Sequence, residues 1–187
     1  MAKIRFFLGI VCFALFSWYS LPGRNSINPA VNRAVADGEK LLQIAKKELG
    51  VREASGRNDG PRVAAYLRYV NIEEGSPWCA AFVSWVFGQA GYSAPRTAWS
   101  PALFPVNKRT QQVSPAVVFG IYFNQLKRIA HCGFAERRDG DWLITIEGNT
   151  NMAGSREGDG VYRKRRALKA VKYFADWSSR KGGEHEN

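Results

Sequence analysis

A cysteine, a histidine and a glutamate stand in the order Cys79, His131, Glu147, with Asn149 two residues further on. These are the types that catalysis by a thiol requires. The thiolate attacks, an imidazole takes the thiol proton and later protonates the leaving group, and a carboxylate or amide accepts the second ring N–H and fixes the ring. The chain has three cysteines and two histidines. Cys12 lies in an apolar N-terminal run and His185 in a polar C-terminal stretch between Glu184 and Glu186. That leaves Cys79 and Cys132 as the thiols of the folded region and His131 as its imidazole. There is no CxxC pair, so zinc-finger or thioredoxin-like chemistry lacks its ligands. The competing readings of Cys79 are a buried packing cysteine and a disulfide with Cys132.

Cys79 must be held by the run Ser76-Pro77-Trp78-Cys79-Ala80-Ala81-Phe82-Val83-Ser84-Trp85-Val86-Phe87, the most apolar helical stretch after residue 22. Ser76 suits an N-cap and Pro77 the first helical position. Cys79 then falls in the first turn, where free backbone N–H groups and the positive end of the helix dipole favour thiolate. The helix is apolar on nearly every side and is expected to be the buried central one, ending near Gly91. Two helices precede it. One is read over about Gly38–Leu49, with Gly50 as its stop, and one from Pro61 to about Val70. Pro95, Pro101 and Pro105 mark a loop-rich passage, after which the pattern turns to strands. These are Ala116–Phe123, Arg128–Glu136, Asp141–Glu147, Val161–Leu168 and Lys169–Phe174. Helices first and strands second predicts an α+β domain.

His131 and Glu147 belong to the second and third of these strands. A three-residue turn at Arg138-Asp139-Gly140, with Gly140 left-handed, sets Arg137 against Asp141. Counting back, His131 lies opposite Glu147, and Asn149 follows on the same face. Cys132, Phe134, Trp142, Ile144 and Ile146 project to the other, apolar face. The expected register therefore gathers the polar residues and turns Cys132 away from His131. Either Glu147 or Asn149 could orient the imidazole.

The 187 residues, 45% hydrophobic, suit one domain with a real core. The formal charge is +11, and no acidic residue precedes Asp37. Setting aside Lys3, Arg5 and Arg24 leaves 24 of the 27 basic residues against 16 acidic ones. Such a balance fits an acidic polymer or surface as partner. Lys3 and Arg5 followed by the apolar run Phe6–Leu21 read as an export signal. No small-x-small cleavage site follows at the usual distance, which leaves an uncleaved N-terminal membrane anchor as the alternative. The expected organisation is a leader over 1–22, a linker over 23–36, one domain over 37–176 and a disordered tail over 177–187.

Three motifs in this order resemble those of the CHAP domains, cysteine amidase/peptidase relatives of the NlpC/P60 group within the papain-like enzymes. They are Ser76-Pro77-Trp78-Cys79-Ala80-Ala81-Phe82-Val83-Ser84-Trp85, His131-Cys132-Gly133-Phe134 and Ile146-Glu147-Gly148-Asn149-Thr150-Asn151. The resemblance covers about residues 38–175. It implies a papain-like α+β fold, with the cysteine helix packed on an antiparallel sheet. It also implies hydrolysis of amide bonds in peptidoglycan through a thioester acyl-enzyme, without metal or cofactor. In that reading Cys79 is the nucleophile, His131 the base and Glu147 the orienter, with Asn149 nearby. Asn58 resembles a polar position near the family's site. Trp78 and Trp99 are read as possible walls of the substrate cleft. Cys132 departs from the pattern, since an aliphatic residue is more usual there. So does the basic run Arg163-Lys164-Arg165-Arg166, read as a solvated strand face or a contact to wall carboxylates. The expected protein is a monomeric, periplasmic or extracellular N-acetylmuramoyl-L-alanine amidase or stem-peptide endopeptidase. The alternatives are a non-catalytic wall-binding module and a cysteine acyltransferase. A nucleic-acid binder is disfavoured by export and by the lack of a binding motif.

Overall fold

Pro29 opens the first helix, α1 (Pro29–Lys47), in a computed structural model that describes residues 29–153 and 158–178. The helix starts earlier than the sequence reading placed it and takes up residues assigned to the linker. Pro29 suits a first turn, and the alanines that follow propagate it. The expected leader at 1–22 and most of the tail lie outside the described residues. Trp177, assigned to that tail, is held instead: its Nε1–H donates to the Leu103 carbonyl at 2.9 Å. No helix among the described residues is long and apolar enough to cross a membrane.

Helix α2 (Pro61–Tyr69) follows a tight loop and carries its proline at the start, as expected. Helix α3 (Cys79–Gln89) is buried from Cys79 through Phe87. Side chains such as Phe82, Val83, Val86 and Phe87 each contribute about 1.5–3 kcal/mol on full burial. The helix begins later than Ser76: Trp78 is its N-cap residue, so Cys79 occupies the first helical position. At the other end Gly91 takes a φ of 93° and the Tyr92 N–H reaches the Phe87 carbonyl at 3.0 Å. This is a Schellman stop that a residue without Cβ allows.

The strands are β1 (Arg109–Thr110), β2 (Val118–Phe123), β3 (Arg128–Asp139), β4 (Trp142–Thr150), β5 (Gly160–Ala167) and β6 (Tyr173–Ala175). They form one sheet in the order β1-β6-β2-β3-β4-β5, with the neighbouring strands antiparallel. Among the described residues the architecture is α+β: three α-helices and a six-stranded antiparallel sheet. The larger core lies between α1, α2, α3 and one face of the sheet, and includes Phe134 and Ile146. A smaller core of Val117, Phe119, Ala135 and Leu143 covers the other face.

The β3–β4 hairpin departs from the expected register. Asp139 pairs with Trp142 around the two-residue turn Gly140-Asp141, with Gly140 at φ 58°. A β-bulge follows: Arg137 pairs with Ile144 and Ala135 with Thr145, so Glu136 is extra. Without that extra residue the two-residue turn would put His131 and Glu147 on opposite faces. The bulge restores them to one face, with Phe134 opposite Ile146. Glu136 is clamped by Lys46 at 2.9 Å and Arg163 at 2.7 Å. Trp142, expected in the core, sits beside the turn and is exposed under the Arg165 guanidinium, 4.2 Å from its ring centre. Gly148 marks the closest approach of β4 to α3, since a Cβ there would come within 2.7 Å of the Trp78 ring and 2.8 Å of Phe82.

Candidate active site

Cys79 is placed by a helix start and His131 by a strand irregularity. Along β3 the pairing with β2 shifts between Ile121–His131 and Tyr122–Ile129, leaving Ala130 as a bulge directly before the histidine. Such bulges re-aim the neighbouring side chain. His131 is buried, with Phe119 meeting its ring edge-on at 6.4 Å between centres. Its Nε2 lies 2.8 Å from Glu147 Oε2. An ionised carboxylate can only accept, so Nε2 carries the hydrogen and Nδ1 is the nitrogen left for the thiol. Cys79 and His131 lie close enough to shift each other's titration.

Glu147 is fully buried. It accepts from the Thr145 hydroxyl at 2.6 Å and from Arg166 twice, at 2.9 Å to Oε1 and 2.6 Å to Oε2. Gly133 makes room for it: a Cβ there would lie 3.0 Å from Glu147 Cγ. Burial alone would raise the carboxyl pKa. The hydrogen bonds from Arg166 and His131, with their positive charges, override it and hold the group well below the usual carboxylate range. For His131, burial works downward, and its bonds to Cys79 and Glu147 raise it to about 9. Cys79 is lowered well below an ordinary thiol, first by a hydrogen bond from Cys132, against burial, and then by His131 and Ser100. These shifts favour a thiolate on Cys79 and an imidazolium on His131.

The structure brings together Cys79, His131 and Glu147 and separates Asn149 from them. Asn149 takes a left-handed φ of 53° and lies against Asn58, with the two amides 2.7 Å apart. Its oxygen, placed toward α3, accepts from the Trp78 backbone N–H at 2.9 Å. Glu147, not Asn149, is the residue bonded to the imidazole. Trp78 lines no cleft: it is fully buried, stacks on Tyr66 and donates Nε1–H to Glu53 Oε1 at 2.8 Å. The same Glu53 accepts the Asn58 backbone N–H at 2.8 Å, which ties the Asn58 loop to the start of α3. Trp99 is 53% exposed and lies next to Ser100, with the Arg128 guanidinium 4.3 Å from its ring centre.

Three neighbours escaped the sequence reading. Ser100, in a short 3-10 turn (Ser100–Leu103), puts its hydroxyl 3.4 Å from Cys79 Sγ and 4.0 Å from Cys132 Sγ. Cys132 does face the core, as expected, but that direction leads to Cys79, because the start of α3 covers this part of the sheet. Both cysteines are free. Burial and the thiolate of Cys79 keep Cys132 a neutral thiol. Arg166 is the third. Strand alternation sorts the basic run: Lys164 and Arg166 pair with Thr145 and Leu143 and share the face of Glu147, which pairs with Tyr162. Arg163 and Arg165 face the other way and line an open basic depression with Arg137, Ile144, Met152 and Lys164, apart from the thiol. Pairing on β4 and alternation along β5 are the signals that single out Arg166. No cluster of three or more His, Cys, Asp or Glu placed to hold a metal occurs among the described residues.

No family model matches the chain, and no curated protein matches it. Among solved structures it is similar to two crystal structures of Ly7917, one with the hydrolyzing product of MDP. Each is 16% identical, with TM-scores of 0.42 and 0.40, and the matches cover 75% and 74% of this chain. The chain spans 62% of the length of either structure. Likeness at this level does not establish a common fold.

Proposed function

We propose that the chain is a CHAP-type, papain-like cysteine hydrolase that is exported and cuts amide bonds in peptidoglycan. The observation that carries this reading is the hydrogen bond of His131 Nε2 to the buried Glu147 carboxylate. It leaves Nδ1 for a thiol at the first position of a buried helix. Cys79 attacks the amide carbon as thiolate. The imidazolium of His131 then protonates the leaving amine, and a thioester remains on Cys79. Water, deprotonated by His131, hydrolyses the thioester and returns the enzyme. The Cys79 backbone N–H, free at the helix start, is placed to hold the oxyanion. The order of the three motifs supports the family, and the basic balance suits a wall rich in carboxylates. Glu147 serves as the orienter. The reading calls for no metal or cofactor and describes a monomer, with membrane association through the N-terminal segment as a further part of it.

The test is to incubate purified wall sacculi with the wild type and with Cys79→Ala, and to identify released fragments by mass. Release by the wild type, reduced to the buffer level in the variant, is expected. The new ends distinguish an N-acetylmuramoyl-L-alanine amidase from a stem-peptide endopeptidase. Equal release by both proteins would end the cysteine reading. Binding without release by either would favour a wall-binding module, and a new amide in place of a free acid would favour acyl transfer.

A further inference from the structure

We propose that Arg166 is a positioning residue of this site, the half-buried last member of a row of side chains that runs Cys79, His131, Glu147, Arg166. The inference rests on the reading of Cys79 as a nucleophile. Its own basis is the pair of guanidinium bonds to Glu147, one to each oxygen, at 2.9 and 2.6 Å. Paired bonds of this kind fix the plane of a carboxylate as well as its charge. Glu147 Oε2 accepts from both Arg166 and His131, so the guanidinium sets the orientation in which the imidazole finds its acceptor. Arg166 Nη2 also lies 3.4 Å from the Thr150 hydroxyl, which anchors it to the end of β4.

The charge count gives Arg166 a role beyond packing. Thiolate, imidazolium, carboxylate and guanidinium sum to zero. Without the guanidinium the same three groups leave one uncompensated negative charge in a buried place. A buried site relieves such an excess by taking up a proton, on the thiolate or on the carboxylate. On the thiolate it removes the nucleophile, and on the carboxylate it removes the acceptor that orients His131. Guanidinium is the cation for this position because it does not titrate in the working range.

The other ionisable groups around the row have different partners. Cys132 on β3 is a neutral thiol turned to Cys79 and Ser100. Tyr162, opposite Glu147 on β5, donates its hydroxyl to Asp159 at 2.8 Å. The Lys164 ammonium binds the Asn151 carbonyl. The Arg52 guanidinium pairs with Asp159, and Glu53 takes Trp78 and Asn58.

The experiment follows alkylation of Cys79 by iodoacetamide against pH, read by mass at that cysteine, in the wild type, Arg166→Gln and Arg166→Lys. Thermal unfolding checks that each variant is folded. The acid limb of the rate profile is expected to move up by about one pH unit in Arg166→Gln, a loss of about tenfold in rate below the limb. Arg166→Lys keeps the charge without the fork and is expected to move less than half as far. If Arg166→Gln does not fold, the lysine variant is read alone against the same direction of shift. An acid limb that coincides with the wild type in the folded variants, whatever their melting temperature, would overturn the proposal. A wild-type profile that rises only as an ordinary thiol ionises would instead refute Cys79 as an activated nucleophile, so the two failures are told apart.

Discussion

Replacing His131 by alanine is expected to lower the alkylation rate of Cys79 at pH 6 by about a hundredfold to a thousandfold, and to abolish fragment release from sacculi. In the wild type the thiol is held well below its ordinary range by Cys132, His131 and Ser100, and His131 is held at about 9. Where the thiol has ionised and His131 is still protonated, the thiolate–imidazolium pair dominates. The wild-type profile of alkylation should therefore begin its rise at a lower pH than that of an ordinary thiol. Hydrolysis needs the imidazolium proton as well, so it should fall again as the pH rises through about 9. Without the imidazole, the buried thiol loses its cationic neighbour and keeps only Cys132, Ser100 and the helix start to support its charge. At pH 6 a thiol of ordinary pKa is ionised to about one part in several hundred. Labelling followed by mass at Cys79 measures the change directly. Identical profiles for the two proteins would remove His131 from the mechanism.

The second large effect concerns Glu147. Glu147→Gln is expected to destabilise the fold by about 3 kcal/mol, because removing one member of a buried ion pair leaves its partner uncompensated. The carboxamide keeps one oxygen and turns the other into an NH2 donor, so Arg166 loses one of its two acceptors, and either His131 or Thr145 loses its own. For a domain of this size that corresponds to about 6–12 °C in melting temperature. The pH dependence of stability supplies a second check. Glu147 titrates below its unfolded value of 4.5, so its stabilisation is present above that pH and is lost as the pH falls toward the folded value. His131 binds a proton up to about 9 where the unfolded chain releases it near 6.5, and stability from this group declines between those values. Cys79 is lowered from 9.0 and contributes in the opposite sense, increasingly as the pH rises toward 9. Between about 6.5 and 9 the two act in opposite senses. Wild-type melting should thus change less over that interval than His131 alone would make it, and fall on the acid side as Glu147 is protonated below pH 4.5. Glu147→Gln should lack that last loss. A melting temperature within 1 °C of the wild type would show that the charged network is not holding the fold.

The α3 helix was legible because nine successive apolar or small residues leave it no solvent face. Strands β2 to β5 were legible from their β-branched and aromatic residues, whereas the strand expected over Lys169–Phe174 is a 3-10 turn at Leu168–Ala170 followed by the short β6, and the two-residue β1 is too short to leave a pattern. That His131 and Glu147 share a face was also legible, although the route to it was not. A bulge leaves no mark in hydrophobic alternation: Glu136 looks like any charged residue before a turn, and its role emerges only when Lys46 on α1 and Arg163 on β5 close on it. Ser76-Pro77 has the composition of a helix start, yet the chain delays α3 until Cys79, where Trp78 can bury its ring and donate to Glu53. Cys132 was read correctly as inward and wrongly as remote, since strand parity gives a direction and not what covers that face. Arg166 was hidden in a run of four cations. Composition makes the run one solvated strip, whereas a strand divides it into two pairs with different fates.

The closed row of charges has a consequence for ionic strength. Added electrolyte screens charges that face water and scarcely reaches those that compensate one another in the interior. This protein separates the two kinds. Its excess of basic residues lies mainly on the outside, while Cys79, His131 and Glu147 are buried and Arg166 closes the row from a half-buried position. Under the proposed function, raising the salt concentration is expected to weaken the encounter with an anionic wall polymer and to change the reactivity of Cys79 toward an uncharged reagent far less. Surface charge would then govern the encounter, and the largely buried row the attack.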